Sequence, residues 1–442
     1  MNIKRLVAAT AVGMFALSGL AACSDSSNKA DDEGNVYFLN WKPEQEEAFK
    51  QIAQEYTDST GVDVKVVTAA SGTYEQTLKS EISKSEAPTL FQINGPVGLQ
   101  SWQKYAADLS DTEFAKALND PNLALVGEDS KIYGVPLAVE GYGIIYNEEI
   151  FDAYFAMDGA KATSMDEINN FAKLKEVADD MQAKKADLGL DGVFASTSLA
   201  TGEDWRWQTH LANYPVYYEY RDKGVTDEAA VTLDYSENFK NIFDLYLTNS
   251  TIEPTLAPSK TVTDSMAEFA QGKAAMVQNG NWAWSQIKDV AGNVVKEDKI
   301  KFLPIYTGVD GEETSGIAVG TEAFMAVNAQ ASEADQKATV DFINWLFLDD
   351  AGKKHVVEDL GFIAPFNNYT NADTPADPLA KEVAAYMNDA EKQVVPWVFT
   401  TFPSQKFKED LGQALGQYAA GNMEWDQVKS TFVDGWAAEK GA

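Results

Sequence analysis

The side chains best suited to chemistry in this sequence are aromatic and amide-bearing. Its 10 Trp, 18 Tyr and 22 Phe stand in many places beside Asn, Gln, Glu or Gly rather than inside aliphatic runs. Sugar recognition needs that mixture, because a sugar ring stacks its apolar C–H face on an aromatic ring while its hydroxyls demand planar amides and carboxylates. Glycoside hydrolysis needs only two carboxylates. With 68 Asp plus Glu any pair can be imagined, so an extracellular glycosidase stays open as an alternative class. Neither a Gly-x-Ser-x-Gly elbow nor a His-Glu-x-x-His zinc motif is present, and the only histidines, His210 and His355, cannot build a three-imidazole metal site. Asp187-Leu188-Gly189-Leu190-Asp191-Gly192 approaches a calcium loop, but Ser198 stands where the bidentate Glu should be, so it reads as a turn. No catalytic residue, metal or cofactor is expected.

One further reactive side chain is Cys23, the sole cysteine. It follows a basic Met1-Asn2-Ile3-Lys4-Arg5 and an apolar stretch from Leu6 to Leu20, too short to span a bilayer comfortably and built like a signal peptide. In Leu20-Ala21-Ala22-Cys23 two small residues give a peptidase access, and the thiol can take a diacylglyceryl group. The expectation is a signal peptide over 1–22, a lipid on Cys23 and a flexible tether over 23–35, whose twelve residues after the cysteine reach about 20 Å as a random coil. A lone cysteine excludes intramolecular disulfides, so stability must come from a packed core.

Charge narrows the partners. The formal net charge is −33, which excludes nucleic acid and disfavours direct adsorption to anionic lipid. Residues 36–442 exceed what one hydrophobic core usually holds and predict two lobes.

Periodicity gives an α/β body. Val36–Asn40 reads as a buried strand, and a helix follows from Pro43 with Glu44, Glu46 and Glu47 in its first turn. Its apolar Phe49, Ile52, Ala53 and Tyr56 lie at helical spacing, with Gly61 as its stop. Residues 62–67 read as a second strand, 74–84 as a helix, and 90–93 as a third strand. This βαβαβ order predicts a parallel sheet with ligands beyond the carboxyl ends of its strands. Further helices are predicted over 165–185, 239–247 and 336–348, and one after Pro403-Ser404 with Gly421 as its stop.

Five segments in order resemble the carbohydrate-specific extracellular solute-binding proteins of ABC importers, the group that includes maltose-binding protein. They are Tyr133-Gly134-Val135-Pro136 leading into 139–147, Phe269-Ala270-Gln271-Gly272-Lys273-Ala274-Ala275-Met276, Asn279-Gly280-Asn281-Trp282-Ala283-Trp284, Phe302-Leu303-Pro304 and Gly361-Phe362-Ile363-Ala364-Pro365-Phe366. The resemblance runs from about Val36 to the C-terminus. It implies an α/β, two-lobed periplasmic-binding-protein fold of type II, with a three-crossing hinge and a ligand cleft between the lobes. Lobe one would comprise 36–140 plus 308–350 and lobe two 141–307 plus 351–442, with crossings near Glu140-Gly141, Pro304 to Gly308 and Asp349 to Gly352.

The resemblance also implies a function and a site. The chain would be a monomeric receptor that captures an oligosaccharide and presents it to membrane permease subunits; a peptide or cationic cargo on the same fold is the other alternative. Trp282 matches the position where the family stacks an aromatic on a sugar ring, and Asn281 departs from the proline of maltose-binding relatives. Glu140 matches a cleft carboxylate at the first crossing. Trp41, Lys42 and Asn94 match cleft positions at strand ends of lobe one, with Tyr74 beside them. Trp205 and Trp207, as alternate residues, would face the cleft together; Glu322, Trp397 and Phe402 complete the expected set.

Overall fold

Each predicted lobe acquires its own sheet, and the order of strands explains how one chain builds both. The computed structural model describes residues 34–440 apart from Ser71, so Cys23, the leader and most of the tether lie outside the described residues. Strand β1 (Val36–Asn40) pairs in parallel with β2 (Val64–Thr68) and with β3 (Leu90–Asn94). The short β4 (Leu125–Val126) lies antiparallel on β5 (Ile132–Pro136). The chain then enters a second sheet through β6 (Glu140–Asn147), whose eight residues are all buried. That sheet gathers β7 (Gly192–Phe194), β8 (Ala274–Gly280), β9 (Ile300–Leu303) and β10 (Ser315–Gly320). Strand β11 (Ala323–Val327) returns to the first sheet, and β12 (Gln393–Pro396) pairs with β10 in the second.

The first sheet, ordered β2-β1-β3-β11-β5-β4, is therefore mixed rather than parallel throughout, because the returning β11 runs antiparallel to both β3 and β5. Its helix Glu46–Thr60 buries Phe49, Ile52, Ala53 and Tyr56, the residues at helical spacing, and ends on Gly61 in the left-handed region. Burying each of the larger of these side chains contributes roughly 1.5–3 kcal/mol.

Two crossings lie elsewhere than the sequence suggests. The first runs through Leu137 to Val139, between β5 and β6. The second is not at Pro304–Gly308: β10 still belongs to the second sheet, and the chain changes lobe at Thr321-Glu322. The third is not at Asp349–Gly352, because that stretch opens a helix, Asp350–Glu358, directly after Glu333–Leu348. Val356, Leu360, Phe362 and Phe366 pack with Phe342, Ile343 and Phe347 in the core of lobe one. Lobe two resumes with Leu379 and Val383, placing the crossing within 370–378.

One helix also differs from expectation. The predicted 165–185 helix is a short 3-10 turn, Met165–Glu167, followed by Phe171–Ala183, because Asn170 leaves helical geometry and accepts a hydrogen bond from the Lys173 amide. Ser404 does cap Gln405–Ala419, accepting from the Phe407 amide at 3.0 Å.

Candidate functional site

The cleft forms where the two sheets face each other beside the crossings, and its lobe-one wall starts from a tightly held turn. Asn40, at the end of β1, donates to the Lys42 carbonyl at 2.8 Å and accepts from the Lys42 amide at 3.1 Å. Gln92 accepts from the Trp41 amide at 2.6 Å. This leaves the Trp41 indole part-exposed, edge-on to Tyr74 at 5.5 Å, and aims Lys42 across the first crossing. Lys42 Nζ reaches Glu140 at 2.7 Å and Glu44 at 3.9 Å. Burial alone would lower the Lys42 ammonium, but Glu140 and Glu44 outweigh it and hold the group above its ordinary value. Burial pushes Glu44 upward, with Lys42 opposing.

The lobe-two wall is aromatic. Trp282 follows β8, and its indole folds back over Gly280, where a Cβ would lie 2.1 Å from the ring. Trp205 meets it at 5.9 Å and His210 at 5.7 Å. His210 in turn stacks on Tyr142 at 4.1 Å and lies 5.9 Å from Trp397 and 5.3 Å from Phe399. Burial, then Arg206 and Lys408, hold the His210 imidazole well below its usual range, so it is neutral at pH 7. The wall begins in a π-helical turn, Arg206–Leu211, a rare geometry that recurs at functional sites.

The walls touch. Lys42 Nζ lies 5.8 Å from the Trp282 ring centre, and a Cβ on Gly72 of lobe one would sit 2.9 Å from the Gly202 carbonyl of lobe two. A cavity of about 80 Å³ lies between Glu75, Asn94 and Gly98 on one side and Pro403, Ser404 and Gln405 on the other. A larger hollow, about 340 Å³, is lined by lobe-two residues alone, among them Arg221, Asn238 and Gly308, and lacks the converging walls of the cleft.

Among the expected residues, Lys42, Glu140, Trp205 and Trp282 thus converge, with Trp397 at the base of the aromatic wall and Trp41 against Tyr74 on the lobe-one side. Asn94 lines the small cavity, its Oδ1 buried without a partner. Glu322 stands at the second crossing, 3.7 Å from Lys408. Tyr74 and Asn281 serve the frame: the Tyr74 hydroxyl accepts from the Gln92 amide at 2.7 Å and donates to its carbonyl at 3.0 Å, and Asn281 Oδ1 accepts from the Gly141 amide at 2.9 Å.

Trp207 and Phe402 do not belong to the cleft. Trp207 packs on Phe243 and Tyr246 and donates to the Ser198 carbonyl at 3.1 Å. The expected alternation fails because the segment is helical, which sends neighbours two apart to different faces. Phe402 is buried among Phe407, Phe432 and Trp436.

Sequence reasoning missed Glu44, Glu75, Arg206, His210, Phe399 and Lys408. Only Arg206 carried a signal, a cation set between two tryptophans. Its guanidinium lies 3.9 Å over Trp205, and Nε, Nη1 and Nη2 are all buried without a hydrogen-bond partner. Among the described residues no cluster of three His, Cys, Asp or Glu side chains could hold a metal ion.

Two α/β lobes joined by three crossings, with an aromatic and polar cleft between them, define the class of two-lobed solute-binding proteins. The profile of the family described as "Bacterial extracellular solute-binding protein" matches residues 51–394, and the chain belongs to that family, whose members bind solutes without catalysing a reaction. It is 24% identical over 394 residues to the Multiple sugar-binding protein of Streptococcus mutans, covering 84% of this chain and 86% of that relative. It is 22% identical to a Maltooligosaccharide ABC transporter solute-binding lipoprotein of Streptococcus pneumoniae, covering 100% of this chain and 95% of the relative. The solved structure of a chitin oligosaccharide binding protein superposes with a TM-score of 0.72 at 18% identity, covering 93% of this chain and 100% of that one.

Proposed function

We propose that this protein is the lipid-anchored receptor of an ABC sugar importer, capturing an oligosaccharide between its lobes and presenting the closed form to permease subunits. The observation that carries the reading is the pair of part-exposed indoles Trp205 and Trp282, 5.9 Å apart, facing Lys42 of lobe one, 5.8 Å from the Trp282 ring, with buried polar side chains beside them. The indoles offer faces for sugar rings, and the polar groups exchange hydrogen bonds with hydroxyls. The names of the S. mutans and S. pneumoniae relatives support a sugar cargo, and that of the latter supports lipidation, here at Cys23. Closure turns on 137–139, 321–322 and 370–378. A ligand shifts the population toward the closed form by as much as its contacts with the second wall exceed those it makes in the open form.

The test is a calorimetric titration of residues 24–442 with α- and β-linked di-, tri- and tetrasaccharides, followed by analysis of each mixture for hydrolysis. One-to-one binding of one linkage class with the sugar recovered intact supports the receptor. Cleavage would replace it with a glycosidase, and silence across the panel would remove the sugar cargo.

A further inference from the structure

The charges in the cleft do not cancel pair by pair. Lys42 is matched by Glu140 and Glu44, and Lys408 by Glu322. Arg206 has no such match. It is 1% exposed and all three of its nitrogens lack partners. Glu203 and Glu44 act on it electrostatically without forming an ion pair, and burial pushes its guanidinium down to about 9. An uncompensated buried cation is costly, and protein interiors ordinarily pair it.

Lobe two also buries other polar atoms without partners. The Gln278 amide donates to the Arg206 carbonyl at 2.8 Å, and β7, beside β8, runs on into Ser196, Thr197 and Ser198. All three hydroxyls are buried without partners, as is Gln278 Oε1. On the lobe-one side the unpartnered atoms around the small cavity are acceptors, Glu75 Oε1 and Asn94 Oδ1. Among the described residues of the cleft, Arg206 is thus a buried cation without an ion-pair partner.

We infer that the cargo is an acidic oligosaccharide, one carrying a carboxylate, and that Arg206 receives that carboxylate. This rests on the oligosaccharide reading above. A carboxylate is planar and accepts only, so it meets the guanidinium fork through two parallel hydrogen bonds and neutralises its charge. Neutral hydroxyls would supply hydrogen bonds and leave the charge uncompensated. A cationic cargo would meet Arg206 as a like charge.

The experiment compares matched neutral and acidic probes on the unsubstituted protein by calorimetry: xylotetraose against the same chain bearing a glucuronate branch, α-1,4-galactotriose against trigalacturonate, and lactose against sialyllactose. At least one acidic member is expected to bind ten times or more tighter than its neutral partner. Arg206→Gln should erase that preference, and Arg206→Lys, which keeps the charge and loses the fork, should retain part of it. Equal affinity within every pair, or an equal loss of neutral and acidic binding in Arg206→Gln, would overturn the acidic cargo and leave the sugar receptor standing. Silence of every saccharide would overturn both.

Discussion

The two walls of the cleft differ in how far their polar groups are satisfied. In lobe one, Asn40, Gln92 and Lys42 sit in a connected set of hydrogen bonds with Tyr74 behind them, and Lys42 reaches across the first crossing to Glu140. In lobe two, Arg206, His210 Nδ1, Ser196, Thr197, Ser198 and Trp397 Nε1 are buried without partners. The first wall leaves few groups open, Gln92 Nε2, Asn94 Oδ1 and Glu75 Oε1 among them; the second presents more groups whose partners a ligand must bring. The contrast teaches that similar residue types serve as frame on one side and as recognition on the other.

Substitutions can break that comparison. The largest effect is expected at the framework. Trp207→Ala should cost about 3–5 kcal/mol of stability in a chemical unfolding experiment, because it empties a site between Phe243 and Tyr246, while the folded fraction keeps its sugar affinity. Lys42→Ala should cost about 3 kcal/mol or more by stranding the buried Glu140 carboxylate, and Lys42→Met with Glu140→Gln should recover most of it. If Lys42→Ala left stability unchanged, the Lys42–Glu140 pair would not be part of the frame.

On the other wall, Trp282→Ala should weaken sugar binding at least tenfold, about 1.4 kcal/mol, with little change in the unfolding midpoint. The smallest effect concerns Asp377, which caps the helix Pro378–Asn388 by accepting from the Leu379 and Ala380 amides. Burial raises its carboxyl to about 6, so the folded state holds the proton more tightly than the unfolded one. Stability from this group is present below its ordinary value near 3.8 and lost as pH rises through about 6. Asp377→Asn should keep the cap and raise stability by about 1 kcal/mol above pH 6, with no gain near pH 3.5, measured as unfolding midpoints against pH.

Local elements were legible in the sequence where one side chain or one period decides the geometry. β1, the helix after it and its Gly61 stop follow from a buried apolar run, helical spacing and a left-handed glycine. The crossings were not legible, because they depend on which sheet accepts a strand. The strands Ser315–Gly320 and Ala323–Val327 are two residues apart, and only tertiary pairing sends them to opposite lobes. Gly352 was expected at a crossing, yet its missing Cβ lets one helix sit against another: a Cβ there would lie 2.0 Å from the Trp345 carbonyl. In the site, strand ends and family positions pointed to Trp41, Lys42, Glu140 and Trp282. Arg206 showed only as a cation between two tryptophans, and Glu75 and Lys408 were hidden, because their meaning comes from what surrounds them and the absence of a partner leaves no trace in a residue pattern.

The most direct test of the account is the structure of the protein with a captured oligosaccharide. The prediction is a sugar ring stacked on Trp282 or Trp205 and hydrogen bonds reaching both walls of the inter-lobe cleft. A sugar bound outside that cleft, for example in the lobe-two hollow beside Asn238 and Gly308, with Trp205 and Trp282 untouched, would contradict it.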